Sequence, residues 1–302
     1  WLRRPRWLRR PRSPRPLRLT PGRVPPEAVP ELPEVETIRR DLDRELSGRQ
    51  VERVSVQGDR SVRRHFDRAE FSSALVGGTV LSVARRGKYL LFPVDRGVVL
   101  VAHLGMSGQL LLASTGDTVA RHTHVVLGFA GERELRFVDP RTFGEVFVTR
   151  DGEVRELAHL GVDPLNDLKG WVHLGELLHA RRAKLKALLM DQRFLAGIGN
   201  LYADEILFAA RLRYDRSSET LSATEVRRLY RAMTTTLESA IQYRGSSLVD
   251  EQYRDVFGAI GGFQSRHNVY GREGQACRRC RQPIVRIKSA GRSTFLCARC
   301  QP

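Results

Sequence analysis

The stretch HLGVDPLND, residues 159–167, is where the chain changes its hydrophobic period. Before it, apolar and polar residues alternate in short runs broken by glycine: QVERVSV (50–56), TVLSVARRGKYLLFPV (79–94), GVVLVAHLGMSGQLLL (97–112), HTHVVLGF (122–129) and ELRFVDPRTFGEVFVT (134–149). Alternation of this kind predicts a mainly antiparallel sheet system with one face of each strand buried. After it, apolar residues recur every three to four positions in HLGELLHARRAKLKALLMDQ (173–192), NLYADEILFAARL (200–212) and SATEVRRLYRAMTTTLESAIQY (222–243), which predicts helices. Ser222 with Glu225 three residues on is a capping box that opens the last of them. A glycine-containing loop, 244–266, then leads into a cysteine-bearing tail. The expected fold is α+β and multidomain. An antiparallel β-sandwich flanked by helices occupies 30–160, a helical unit 161–265 and a small metal-held unit 266–302, with 1–29 as a disordered extension.

The sandwich is preceded by a helix. From Pro33, the residues Val35, Ile38, Leu42 and Leu46 fall at helical spacing, while Glu34 and Glu36 suit a helix N-terminus. Upstream of it, WLRRPR occurs twice in succession within a Pro- and Arg-rich segment. Proline at this density forbids a helix and the charge forbids a core, so disorder is the expectation. That segment lacks the apolar centre of a secretory signal. We read it as upstream coding frame, with Val29 standing where the initiator belongs.

The net charge of +17 is unevenly placed: residues 1–28 contribute +8 and the remainder +9. The remainder alone is basic enough to favour a polyanionic partner. No apolar run reaches membrane-spanning length. All four cysteines, Cys277, Cys280, Cys297 and Cys300, lie in the tail as C-x2-C-x16-C-x2-C. Two tight turns, each presenting a thiolate pair, complete a tetrahedron around one zinc ion, and a reducing cytoplasm fits this better than a disulfide framework. Four thiolates leave no open position, so the metal is structural. The residues between the pairs predict a hairpin turning at SAGR (289–292).

The segments PELPEVETIRRDL, RRGKYLL, HLGMSG, HTHVVL, DPRTFG, GIGNLYADEILF and CRRC…RSTFLCARC, in this order from residue 30 to the end, resemble bacterial formamidopyrimidine-DNA glycosylases. Leu32 and the Arg and Phe of DPRTFG resemble the oxidised-purine branch rather than the endonuclease VIII branch. The resemblance implies a helix–two-turn–helix motif in the helical unit and a zinc-ribbon-like hairpin at the end. It implies a monomeric bacterial base-excision repair enzyme acting on double-stranded DNA with two linked activities. One removes 8-oxoguanine or ring-opened purines, and the other nicks the strand at the abasic site by β,δ-elimination.

The resemblance also implies roles for individual residues. Pro30 would be the nucleophile through its amine, Glu31 the general acid/base, Lys88 a proton donor near the lesion, and Arg292 the phosphate ligand for the second elimination. Met106 would fill the space of the extruded base, Arg141 would face the orphaned cytosine, and Phe143 would wedge the stack. His103, His122, Arg181 and Asn200 would grip phosphates. An α-amine of pKa near ~8 is roughly one-fifth neutral near pH ~7.4, against about a thousandth of a lysine, so the chemistry suits an N-terminal amine. Within a peptide the proline nitrogen is an amide with no N–H, so Pro30 reacts only when uncapped. The expectation is therefore a start at Val29 followed by its removal.

The residues also admit blander readings. Lys88 alone would be a solvated strand lysine, Met106 and Phe143 core residues, and Arg141 a partner for Asp139. His122 and His124 alternate as if on one strand face, yet two histidines without a third ligand make a poor metal site. The glycines before NLYADEIL present backbone N–H groups that could meet a phosphate. A non-catalytic DNA-binding module, an enzyme for oxidised pyrimidines and a basic nucleic-acid coat are the competing functional readings.

Overall fold

A computed structural model describes residues 30–150, 154–248 and 252–302. The extension expected at 1–29 lies outside the described residues, as do residues 249–251 of the glycine-containing loop. Helix α1, Leu32–Leu46, opens the described chain with Glu31 as N-cap, whose backbone N–H donates to the Glu34 carboxylate at 3.0 Å. Its apolar stripe is divided between two cores. Val35, Ile38, Leu42 and Leu46 enter the core of the strand-rich half, whereas Leu32 enters the core of the helical half.

The strand-rich half holds two four-stranded antiparallel sheets. One is ordered β1-β6-β7-β5, from Val51–Val56, Thr123–Phe129, Arg133–Val138 and Gln109–Ser114. The other is β2-β3-β4-β8, from Ala84–Arg86, Tyr89–Val94, Val98–His103 and Glu145–Thr149. Phe92, Leu100, Leu110, Leu127 and Phe137 meet between the sheets, as the sequence alternation requires, and helix α2, Arg68–Leu75, adds Phe71. Burial of such side chains is worth roughly 1.5–3 kcal/mol each, which is why the alternation dictates the register.

The helical half contains α3 (Trp171–His179), α4 (Leu185–Leu189), α5 (Asn200–Ala210) and α6 (Ala223–Gln242). The capping box expected at Ser222 is present. The single helical run predicted over 173–192 is instead broken between α3 and α4. There Ala183 and Ser218 exchange hydrogen bonds, and Lys184 forms a bridge with Ser217. The crossing segment supplies partners that an uninterrupted helix would have satisfied internally. The chain ends in the hairpin β9 (Val285–Ser289) and β10 (Arg292–Leu296), turning at Ala290 and Gly291. Both turn residues have positive φ, 48° and 78°, the twist a two-residue hairpin loop needs.

The loop after α6 returns to the first half. Tyr253 and Val256 are buried among its core residues, and the Val256 carbonyl accepts the Leu112 N–H at 2.8 Å. Among the described residues no helix is long and apolar enough to cross a membrane.

Candidate functional site

Pro30 is buried at the mouth of α1, directly before Glu31. The Glu31 carboxylate is gripped by the first turn of α5: it accepts backbone N–H bonds from Gly199 (2.6 Å), Leu201 (2.9 Å) and Tyr202 (3.4 Å). A Cβ on Gly199 would lie 2.5 Å from that carboxylate, so the close approach requires glycine. The donors at this helix start, expected to meet a phosphate, are therefore aimed at Glu31. Burial pushes the Glu31 pKa up, outweighing the opposing pull of Lys88 and the three amides.

Glu34 lies one turn along α1 and is also buried. It accepts the Tyr202 hydroxyl at 2.6 Å and the Ser246 N–H at 2.8 Å in addition to the Glu31 N–H. Burial first, then the neighbouring Glu31 charge, raise it to about 7 against those donors. It thus does more than serve the helix terminus. It ties the Glu31 end of α1 to α5 and to the root of the glycine-containing loop. Its position three residues after Glu31 on the same helical face was a usable signal for this.

Lys88 is half-buried in the turn between β2 and β3, not on a strand as the sequence suggested. Gly87, at φ 57°, makes the turn possible. Burial lowers the Lys88 pKa, while Glu31 and Glu34 pull it up and Arg292 pushes it down. Lys88 is thus within electrostatic reach of both Glu31 and Arg292, two groups also named from the sequence, although Arg292 lies on the terminal hairpin. The turn is held by Arg85, whose side chain is fully buried. Its guanidinium forms a fork with Asp163 at 2.6 and 3.0 Å, donates to Glu36 at 3.0 Å, and reaches the Gly87 carbonyl at 2.9 Å. Asp163 in turn accepts the Gly87 N–H at 3.1 Å. Nothing in the local pattern distinguished Arg85 from its neighbour Arg86, which is half-buried and pairs with Asp167.

Met106, Arg141 and Phe143 come together on two abutting turns. A Cβ on Gly105 would lie 2.5 Å from the Gly144 nitrogen and 2.6 Å from the Phe143 carbonyl carbon, so the two backbones run in contact. Asp139 is fully buried and organises both turns, accepting from Ser107 Oγ (2.5 Å), Arg141 N (3.2 Å) and Gly144 N (2.7 Å). Asp139 therefore meets the Arg141 backbone, and the Arg141 guanidinium lies over the Phe143 ring, 5.0 Å from its centre. Phe143 is 44% exposed, which suits a wedge rather than a core residue. Thr142 between them has φ 54°, an uncommon conformation for a β-branched residue.

His103 ends β4 and stacks on Tyr89, ring centres 4.5 Å apart. Its Nδ1 accepts the Gly105 N–H at 3.3 Å, which leaves Nε2 as the protonated, donating nitrogen. Burial, reinforced by Lys88, lowers its pKa to about 4, so the ring is a neutral donor at physiological pH. His122 is exposed and precedes β6 with φ 67°. A register shift follows between Thr123 and Val125, so the expected alternation with His124 does not hold. The His124 ring instead bonds the Asp139 carbonyl at 2.9 Å. Arg181 is exposed in the α3–α4 connection, and Asn200 is the first residue of α5, one residue past the glycine that cradles Glu31.

The four cysteine sulfurs lie within 4.8 Å of one another, and none forms a disulfide. Cys277 and Cys300 are 3.9 Å apart, Cys280 and Cys297 3.4 Å. Four thiolates about a zinc–sulfur bond length of ~2.3 Å from one centre would stand ~3.8 Å apart, so the donor set fits zinc.

Comparison with known proteins extends this picture over the whole described chain. Residues 29–146 match the formamidopyrimidine-DNA glycosylase N-terminal domain, 160–252 its H2TH domain, and 274–302 a zinc finger found in FPG and IleRS. The chain is 42% identical over 274 residues to a formamidopyrimidine-DNA glycosylase of Herpetosiphon aurantiacus, covering 90% of this chain and 100% of that one. It is 45% identical over 276 residues to one of Thermus thermophilus, covering 90% and 98%. Among solved structures, the MutM (Fpg) protein of Thermus thermophilus superposes with a TM-score of 0.80 at 44% identity, covering 90% of this chain and 98% of that one. Lactococcus lactis Fpg bound to abasic-site DNA superposes at 0.81 and 32%, covering 90% and 99%. The α+β architecture and the terminal finger are those of these proteins, and Cys277, Cys280, Cys297 and Cys300 hold one structural zinc ion.

Proposed function

The chain belongs to the formamidopyrimidine-DNA glycosylase family, and on that premise we propose that it is a bifunctional glycosylase and abasic-site lyase that removes oxidised purines from duplex DNA. Base-excision repair is the family's work; the lesion class and the covalent route are our reading. The division of labour that accompanies it assigns 30–160 to catalysis, 161–265 to DNA binding and 266–302 to the finger.

The observation that carries this reading is that Lys88 lies within electrostatic reach both of Glu31, the residue after Pro30, and of Arg292 on the terminal hairpin. In the proposed route the uncapped Pro30 nitrogen attacks the sugar C1′ as the damaged base departs. The product is a cationic iminium on the open-chain sugar. Its positive charge acidifies the C2′ proton, whose loss expels the 3′ phosphate. A second elimination, assisted by Arg292, expels the 5′ phosphate. Water then releases Pro30.

Glu31, with its pKa raised by burial, is suited to exchange a proton at the ring oxygen as the ring opens. Lys88, lowered by burial, is suited to cycle a proton beside the leaving group. Met106 would fill the space of the extruded nucleotide, Arg141 would face the orphaned cytosine and Phe143 would wedge the stack, while His103, His122, Arg181 and Asn200 would hold phosphates. His103 would do so as a neutral Nε2–H donor.

The test is borohydride trapping on a duplex carrying 8-oxoguanine opposite cytosine. A chain beginning at Pro30 is expected to give a covalent adduct and a nicked strand. The chain carrying residues 1–29 gives neither, because its Pro30 nitrogen is an amide. Equal trapping by both forms, or preferential cleavage of thymine glycol, would refute the route or the lesion class respectively.

A further inference from the structure

Helix α5 does more than cradle Glu31. One turn beyond that cradle, Asp204 is 1% exposed and faces the zinc-bearing unit. Its Oδ2 accepts the Phe295 N–H of β10 at 2.9 Å, and its Oδ1 lies 2.7 Å from the Lys186 ammonium of α4. Lys186 itself donates to the Ser293 carbonyl at 3.0 Å and to Thr294 Oγ1 at 2.8 Å. Residues 293, 294 and 295 are thus all held by one buried ion pair, immediately after Arg292 at the head of β10. The neighbouring Glu205 holds the approach to the finger by accepting the N–H groups of Asn268, Val269 and Tyr270 at 2.8–2.9 Å.

We propose that Asp204, through its ion pair with Lys186 and its bond to Phe295, is the positioning residue that sets Arg292 against the reaction centre. The proposal rests on the reading of Arg292 given above. Its physical basis is that both ends of the chemistry are indexed to one rigid element. Glu31 is fixed to the first turn of α5 and the Arg292 strand to its second turn, so their separation follows the helix rise of ~1.5 Å per residue and not the mobility of a hairpin. A bare hairpin held only by its zinc would let the Arg292 strand rock, because the metal lies at the far end of both strands.

The experiment uses the zinc-loaded enzyme and a preformed abasic duplex under single-turnover conditions. It reads borohydride trapping and the ratio of second- to first-elimination products for wild type, Asp204→Asn, Asp204→Ala, Arg292→Ala and the double variants with Arg292→Ala. The expected result is trapping within about twofold of wild type, with the second elimination slowed roughly tenfold in Asp204→Ala and less in Asp204→Asn, which keeps an acceptor for Phe295. On the Arg292→Ala background the Asp204 changes should add nothing further.

An unchanged product ratio in folded, zinc-replete Asp204 variants overturns the proposal. So does a loss that strikes trapping and second elimination alike, or one that persists undiminished without Arg292. If Asp204→Ala yields too little folded protein, Asp204→Asn/Lys186→Met removes the orphaned ammonium and is read the same way. Hydrogen exchange of the Phe295 amide separates this idea from the functional reading. An enzyme that fails to trap refutes the chemistry proposed for Pro30, whereas unaltered Phe295 exchange in Asp204→Ala refutes the positioning role itself.

Discussion

Replacing Arg85 with methionine should cost this protein about 3 kcal/mol, and the structure says why the figure is neither smaller nor larger. Removing one member of a buried ion cluster typically costs ~3–5 kcal/mol, because the remaining charges lose their compensation. Here the two carboxylates are not abandoned equally. Glu36 keeps Arg40 at 2.8 Å and Arg39 at 3.1 Å. Asp163 keeps only backbone donors, from Gly87, Leu165 and Asn166 at 3.1–3.3 Å. The loss therefore falls at the lower end of the range, which for a chain of this size lowers the midpoint of thermal unfolding by roughly 5 °C. Arg85→Lys should recover little, since an ammonium cannot span the Asp163 fork, Glu36 and the Gly87 carbonyl together. Calorimetry of both variants checks the magnitude, and strand nicking well below their midpoints checks the link to Lys88, which should lose activity beyond any loss of folded protein. An Arg85→Met variant within about 1 kcal/mol of wild type, or a lysine variant with wild-type stability, would refute the reasoning.

Thr142→Asn should raise the unfolding midpoint by about 1–2 °C, because asparagine tolerates the φ of 54° that costs threonine roughly 1 kcal/mol; an unchanged or lower midpoint counts against strain at that turn. Glu34 is held at about 7 in the fold against 4.5 when unfolded, so its protonation favours the native state. That contribution is complete below pH ~4.5, is lost as pH rises through 7, and amounts to at most ~3 kcal/mol. Denaturant unfolding of Glu34→Gln between pH 5 and 8 should accordingly show a shallower decline than wild type, and an identical slope would contradict the assignment. The His103 imidazole should show no titration between about pH 5.5 and 8 by NMR in the free protein, given its pKa of about 4. Cys300→Ser should release zinc to a colorimetric chelator and lose strand nicking in step, while the helical circular dichroism stays within about a tenth of wild type.

The architecture was legible because it rests on burial periodicities that local sequence states directly. Alternation at Leu90, Phe92 and Val94 and the stripe from Val35 to Leu46 each bury one face, and paired cysteines two residues apart suit the reach of a single tetrahedral ion. What escaped was the conformation at points where distant segments supply the partners. Lys88 reads as part of a strand because it lies inside the strand-rich run 79–94, but Gly87 turns the chain and Asp163 locks the turn. The run 173–192 reads as one helix because its apolar spacing continues, yet the chain at Ser217 and Ser218 intervenes. His122 and His124 read as strand neighbours until the bulge after Thr123 separates them. Arg85 and Asp204 were invisible for the same reason. A buried charge has no local signature when its compensating charge lies on another element.

The placement of the site follows from how α1 is shared. Its first residue, Leu32, is committed to the helical core and the next apolar position, Val35, to the strand core, so the Pro30–Glu31 end is fixed at the seam between them. Each charged group that the strand-rich half brings to this seam is held by a partner from elsewhere in the chain. Glu31 is held by the amides of α5, Glu34 by Tyr202 and Ser246, and the Lys88 turn by Asp163. Sliding one half against the other by a single ångström would stretch the 2.6 Å bond to Glu31 beyond hydrogen-bonding distance. Residues 30–160 in isolation would keep the glutamate but lose all three of its donors, and with them the geometry that the proposed chemistry requires.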